Sequence, residues 1–194
     1  MKKALFFAVA MLTASFANAQ ETENNEAASA SLKPEEGSFI TEVAFCPFTN
    51  NSTSLENGRL NAAYMLTDNL AVRAGLGFGF GKTKNDDAEA KSNTFSFAPG
   101  IVYSFDGTPK FSPYVGGELI VRTSKEKVGD ETTSEKNGFG VQAFTGMNYY
   151  FSQNLYVGVE FGIGFSFDKD KKSDVKTTSF APYAQPAVRL GWAF

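Results

Sequence analysis

Three glutamates stand where a strand pattern leaves little room for them. Glu42, Glu118 and Glu160 each interrupt a stretch in which large apolar residues recur at every second position. Four arginines, Arg59, Arg73, Arg122 and Arg189, do the same. Paired carboxylates are the usual material of general acid–base chemistry. Here the neighbouring arginines would hold them ionised, which suits a structural ion-pair network better than a proton donor. The chain contains no histidine, so Ser–His and Asp–His arrangements are impossible. Its one cysteine, Cys46, forms neither a Cys/His metal cluster nor an intrachain disulfide, and reads as a small buried wall residue. Glycines alternate from Gly75 to Gly81 with the spacing of a phosphate loop, but they lie on a strand with no helix after it. No enzyme, no cofactor and no metal site are expected.

The elements that must position these charges all have a period of two. Eight strands are predicted: Ser38 to Phe48, Gly58 to Leu66, Leu70 to Phe80, Thr94 to Phe105, Tyr114 to Thr123, Gly138 to Phe151, Leu155 to Phe167 and Thr178 to Phe194. The third is the cleanest. Leu70, Val72, Ala74, Leu76, Phe78 and Phe80 fall on one face, and Ala71, Arg73, Gly75, Gly77 and Gly79 on the other. Short turns at Thr67-Asp68-Asn69, Asp106 to Pro109 and Ser152-Gln153-Asn154 alternate with polar loops. These loops are Asn50 to Ser54, Lys82 to Asn93, Lys125 to Asn137 and Asp168 to Lys176. Tyr64 to Leu70 is echoed by Tyr149 to Leu155, and Ser96 to Pro99 by Ser179 to Pro182, as if two four-stranded halves shared a design. Pro99, Pro182 and Pro186 fall inside predicted strands, where bulges or local ladder breaks are expected.

One row of every strand is rich in Phe, Leu, Val, Ile and Tyr, and nearly free of charge. The other carries the seven charges named above among Gly, Ala and Ser. In a soluble, lipocalin-like barrel the greasy row would point inward, but its bulk would overfill an eight-stranded interior. In a membrane barrel it faces lipid. The aromatics support lipid. Tyr64, Tyr103, Phe105, Tyr149, Phe151, Trp192 and Phe194 gather near one set of strand ends. Phe78, Phe80, Phe95, Phe139, Phe165, Phe167 and Phe180 gather near the other. Val72, Ile101, Leu119, Val141, Val157 and Val188 lie between them. Two aromatic girdles around an aliphatic belt mark a membrane barrel. Glu42, Arg73, Glu118, Glu160 and Arg189 then fall at similar heights in the lumen, with Arg59 and Arg122 higher. One Arg–Glu network is expected, with Arg189 directed at Glu42 across the closing seam. It either plugs the lumen or gates a narrow pore; the inward glycines leave space for water.

The start of the chain bears on its compartment. Lys2-Lys3, the apolar run Ala4 to Phe16 and Ala17-Asn18-Ala19 fit a signal peptide over residues 1–19, and the run is short for a spanning helix. That leaves 175 residues (194 minus 19), enough for one domain. Gln20 to Glu36 is polar and acidic, and is expected to be a disordered periplasmic tail. The net charge of −3 carries no signature of nucleic-acid binding.

Residues 37–194 resemble the small outer-membrane β-barrel family, being similar to the OmpA transmembrane domain and to OmpX. The residues that carry the likeness are the leader, the Tyr…Thr-Asp-Asn-Leu turn and the terminal row Val188, Leu190, Trp192 and Phe194. The resemblance implies an all-β fold, an eight-stranded antiparallel up-and-down transmembrane β-barrel in the outer membrane. It implies that the terminal row is the recognition signal for the barrel-assembly machinery. Outer-membrane lipid and lipopolysaccharide are the expected surroundings, and a monomer the expected state. OmpA continues into a peptidoglycan-binding domain after its barrel; this chain ends at Phe194, so that function is not expected. A structural or surface-interaction role is the leading expectation, and a narrow small-solute pore the alternative.

Overall fold

The computed structural model describes residues 31–45, 59–85 and 88–194. Eight strands follow one another in chain order: β1 (Phe39–Phe45), β2 (Arg59–Met65), β3 (Leu70–Asn85), β4 (Ala88–Ser104), β5 (Phe111–Val128), β6 (Glu131–Ser152), β7 (Leu155–Asp170) and β8 (Lys176–Ala193). Each pairs antiparallel with the next, and β1 pairs back onto β8, so the sheet closes on itself. Closure leaves no edge of unpaired N–H and C=O groups, the only way a sheet can sit in hydrocarbon. The residues expected as signal peptide, Cys46 and the loop Asn50 to Ser54 lie outside the described residues.

The two rows of each strand separate as the period of two requires. Glu42, Arg73, Glu118 and Arg189 are buried inside, while Phe39, Leu60, Tyr64, Ile101, Leu119 and Trp192 stand exposed outside. An apolar exterior on every strand far exceeds the patches a soluble monomer exposes. The lipocalin-like alternative therefore fails on orientation.

The strands are longer than their apolar alternation suggests. The segments expected as charged loops are largely strand. Lys82 pairs with Lys91 and Lys84 with Glu89, and β5 and β6 stay paired from Phe111 opposite Tyr149 out to Val128 opposite Glu131. That hairpin turns at Gly129, where φ is +60°, in the left-handed region that glycine enters without penalty. Beyond the bilayer both faces of a hairpin meet water. The hydrophobic alternation that reveals a strand vanishes there, although the hydrogen-bond ladder continues.

The internal echo has a structural counterpart. Asn69, just before β3, accepts from the Ser104 N–H (2.7 Å) and donates its side-chain amide to the Ser104 carbonyl (2.8 Å). Asn154, just before β7, accepts from the Ala193 N–H (2.8 Å) and donates to the Ala193 carbonyl (2.8 Å). The same residue type staples the end of β4 in one half and of β8 in the other.

Breaks fall near Pro99 and Pro186 as expected, whereas Pro182 pairs with Ile163 inside an unbroken stretch of the ladder. The β4–β5 ladder is interrupted between Phe97 opposite Val121 and Gly100 opposite Glu118, the stretch that holds Pro99. The β7–β8 register shifts between Glu160 and Gly162: Ala187 and Tyr183 are their partners, so β8 carries two extra residues in the stretch containing Pro186.

The expected tail needs one correction. Its last residues lie against the turn end of the barrel. The Leu32 N–H donates to the Pro109 carbonyl (3.1 Å), the Glu36 N–H to an Asp68 carboxylate oxygen (2.9 Å) and the Gly37 N–H to the Met65 carbonyl (2.9 Å). Leu32 packs on the buried apolar cluster around Met65, Val102 and Tyr150, and Pro34 is buried. A single leucine and a proline in a polar context are a weak sequence signal, yet each finds an apolar surface at the mouth. The strap over residues 31–37 thus extends the ordered protein below the barrel.

Candidate functional site

The lumen is crossed by one chain of alternating charges. Arg59 on β2 donates both terminal nitrogens to Glu118 on β5, at 2.6 and 2.7 Å. Arg73 on β3 bridges Glu118 (3.1 Å) and Glu160 on β7 (2.7 Å). Arg189 on β8 reaches Glu160 at 3.1 Å and pairs with Glu42 on β1. The order is Arg59, Glu118, Arg73, Glu160, Arg189, Glu42: three cations, three anions, no net charge. An isolated charge here would bear a large desolvation cost, which alternation offsets by giving each interior member two opposite neighbours.

Uncharged groups complete the site. The Tyr114 hydroxyl donates to Glu160 (3.0 Å) and accepts from Arg189. The Tyr156 hydroxyl donates to Glu42, as does the Asn61 amide (3.1 Å). The Arg73 guanidinium lies 4.0 Å from the Phe144 ring centroid, a cation–π contact shielded from water.

Six of the seven charges read from the sequence come together, and one does not. Arg122 lies nearer the hairpin end, half-exposed, and donates to both Asp168 carboxylate oxygens at 2.7 Å. Asp168 was expected in a loop. Because β7 continues past Phe167, the strand period turns Asp168 inward, and Arg122 meets it two turns of the pleat above the network. Arg59 is higher and wetter than the rest, as expected, opposite Gly77 and with its side chain 23% exposed, and its length lets it reach back to Glu118.

Inward glycines Gly138, Gly140 and Gly164 line a small space on the hairpin side, but others are filled from across the sheet. Tyr114 stands opposite Gly146, Phe144 opposite Gly116, and Tyr156 opposite Gly191. A Cβ on any of these glycines would collide with the facing ring, and one on Gly75 would collide with the Arg59 guanidinium. Tyr114, Phe144 and Tyr156 thus each lie across a glycine. Tyr114, Phe144, Tyr156, Asn61 and Asp168 are the site residues that sequence reasoning missed. For Phe144 and Tyr156 a signal existed: an aromatic residue on an otherwise glycine-rich row.

The network separates two spaces. A cavity of about 350 Å³ lies on the turn side, bounded by Glu42, Arg73 and Arg189, by Tyr150 and Tyr156, and by Lys33 and Pro34 of the strap. A smaller one of about 140 Å³ lies on the hairpin side and includes Ile120, Arg122 and Gln142. Burial lowers the Lys33 amine from its ordinary value, and the Asp106 carboxylate partly opposes that shift. Among the described residues no group of His, Cys, Asp and Glu is arranged to hold a metal ion.

The terminal row lies on the outer wall. Leu190 and Trp192 are exposed on β8, and Val188 is half-buried. Phe194 exchanges two backbone hydrogen bonds with Phe39, at 2.8 and 3.2 Å, and its ring lies 6.2 Å from that of Trp192.

A closed eight-stranded sheet with an apolar exterior and a charged interior agrees with what the family comparison finds: residues 5–182 match the outer membrane protein beta-barrel domain. The chain belongs to that family. It is therefore an outer-membrane protein. Among solved structures, OprG, an outer membrane protein from Pseudomonas aeruginosa, is 13% identical with a TM-score of 0.50, covering 84% of this chain and 99% of its own. The N-terminal β-barrel domain of Pseudomonas aeruginosa OprF is 17% identical with a TM-score of 0.48, covering 83% of this chain and 100% of its own. Ail, the attachment invasion locus protein of Yersinia pestis, is 11% identical with a TM-score of 0.47, covering 82% and 99%. At such identities the OprG likeness speaks for the fold alone. No curated protein sequence matches the chain.

Proposed function

We propose that this protein is a non-enzymatic integral outer-membrane barrel with a structural or surface-interaction role, its lumen closed by the Arg/Glu chain. The observation that carries this is the charge-balanced run from Arg59 to Glu42, whose members bond one another across the lumen and leave no unpaired carboxylate to act as an acid or base. The absence of histidine from the sequence agrees with a non-catalytic role. Residues 1–19 act as an export signal, the row Val188, Leu190, Trp192 and Phe194 is read by the barrel-assembly machinery, and the folded protein is a monomer surrounded by lipid and lipopolysaccharide.

A gated pore is the second reading, favoured by the cavities on either side of the network. Single-channel recording of the refolded protein in planar bilayers separates the two. A closed lumen gives no steady openings in the native protein. Steady openings that grow in Arg73→Ala would establish the pore and reject the closed lumen.

A further inference from the structure

The strap does not enter β1 in a straight line. Gly37, two residues before the strand, has φ of +87°, in the left-handed region that glycine enters without penalty. The Ser38 N–H donates to the Glu35 carbonyl (3.1 Å) and closes a turn there. Without that turn the residues before Phe39 would follow the strand's own direction, away from the barrel. With it they fold back under the lumen. They pass Met65 and Asp68 at the β2–β3 turn and reach the Pro109 carbonyl in the β4–β5 connection. In a ring of eight strands in chain order, that path spans nearly half the mouth.

The strap is held differently from the wall it covers. Strands hold one another through a continuous ladder. The strap is held by the three N–H bonds of Leu32, Glu36 and Gly37, by Leu32 packed on the buried apolar cluster and by buried Pro34. Asp68, which accepts from Glu36, is exposed, so water replaces that bond at little cost. Segments with few buried contacts are the first to open locally. The pairing of β1 begins at Phe39 with β2 and at Ile40 with β8, so rotation at Gly37 frees the strap without breaking a strand pair. What it would uncover is the larger cavity, bounded by Lys33 and Pro34 on this side and by Glu42, Arg73 and Arg189 on the other.

We propose that residues 31–37 are a lid, hinged at Gly37 and latched by Leu32, that closes the turn-side chamber in series with the ion-pair chain. The lumen then has two closures of different chemistry. Matched charges close it within the wall; backbone bonds and one apolar latch close it at the mouth. The second opens with the barrel and its ion pairs intact. The lid concerns the mouth alone and does not depend on the choice between a closed lumen and a pore.

The test measures access to the chamber in the full folded protein in detergent micelles, where a small methanethiosulfonate reaches both mouths. Cys46→Ser removes the native thiol. Ser112→Cys reports on the turn-side chamber, which Ser112 lines at 1% exposure. Gln142→Cys reports on the hairpin-side cavity, beyond the ion-pair chain. Gly37→Val opposes the left-handed hinge, and Leu32→Ser removes the latch. Each should speed labelling of Ser112→Cys about tenfold, the change expected when an apolar side chain of leucine size no longer favours the closed state. Gln142→Cys should keep its rate in both backgrounds. The proposal is overturned if neither variant speeds labelling of Ser112→Cys, or if both reporters speed up together, because the strap would then support the whole barrel. Should the native lumen conduct, reagent also enters through the ion-pair chain. The lid then shows as larger single-channel openings in Gly37→Val than in the native protein, and equal openings overturn it.

Discussion

Arg189 donates to Glu42 on β1 and to Glu160 on the adjacent β7, so it ties the closing seam to the carboxylate that Arg73 reaches from across the lumen. Both it and Glu42 are buried. Removing one partner of a buried pair leaves an uncompensated charge, at a cost of about 3–5 kcal/mol. Arg189→Met should lower the unfolding free energy in vesicles by that order. Arg122→Met breaks a half-exposed pair with Asp168, for which about 1 kcal/mol or less is expected. Urea titration of both variants checks the ranking; equal losses would mean that the luminal network is no more protected from solvent than the upper pair. The glycines act at this same scale. Tyr156 lies flat on the backbone of Gly191 because no Cβ stands between them, and this brings its hydroxyl to Glu42.

The β3–β4, β5–β6 and β7–β8 hairpins keep their ladders after they leave the membrane, and the β3–β4 hairpin concentrates charge contacts on Glu89. Hydrogen bonds from Lys91 and then Lys82 hold that carboxyl down at about 2 rather than 4.5. Its folded value lies below its unfolded one. The contribution to hairpin order is therefore complete above about 4.5, and is lost as pH falls through about 2. Hydrogen exchange at the Thr83 and Lys91 amides should stay protected at pH 4 and weaken towards pH 2, with the step abolished in Glu89→Gln. Loss centred near pH 4.5 in the native protein would show that the lysine contacts do not hold the carboxylate in solution. The turn end is organised differently. There, Asn69 and Asn154 tie the ends of β4 and β8, and the strap closes over the larger cavity. The strap and the ion-pair chain bound that cavity from opposite sides.

At the scale of the molecule, closure depends on the last strand. β8 pairs with β1 from Ile40 opposite Ala193 to Phe45 opposite Val188, and Phe194 adds two backbone hydrogen bonds beyond the ladder. If the terminal row is the assembly signal, deletion of Phe194 should reduce the amount of barrel reaching the outer membrane. The purified, refolded deletion variant should lose little stability, since its ring is exposed. Membrane fractionation beside vesicle unfolding separates these effects. Normal membrane levels with a large stability loss would assign Phe194 to the seam rather than to insertion.

The sequence by itself determined the fold, because a period of two is a local property. Each strand states its two faces through its own residues, as Leu70 to Phe80 does most clearly, and eight such statements of one orientation leave a closed membrane barrel. It also placed Glu42, Arg59, Arg73, Glu118, Glu160 and Arg189 in one lumen, since all lie on the inward row. Three things waited for the tertiary structure. The ends of β3 to β8 were hidden, because in water both faces of a hairpin turn polar while the backbone continues to pair. The partner of Arg122 was hidden with them, on a strand end whose residues are polar on both faces. And which luminal glycines leave space was hidden, because whether a missing side chain leaves a void depends on what stands opposite: Gly138, Gly140 and Gly164 line one, while others are filled. Register put Tyr114 opposite Gly146, Phe144 opposite Gly116 and Tyr156 opposite Gly191. Register is a relation between strands far apart in the chain, and only the closed sheet fixes it.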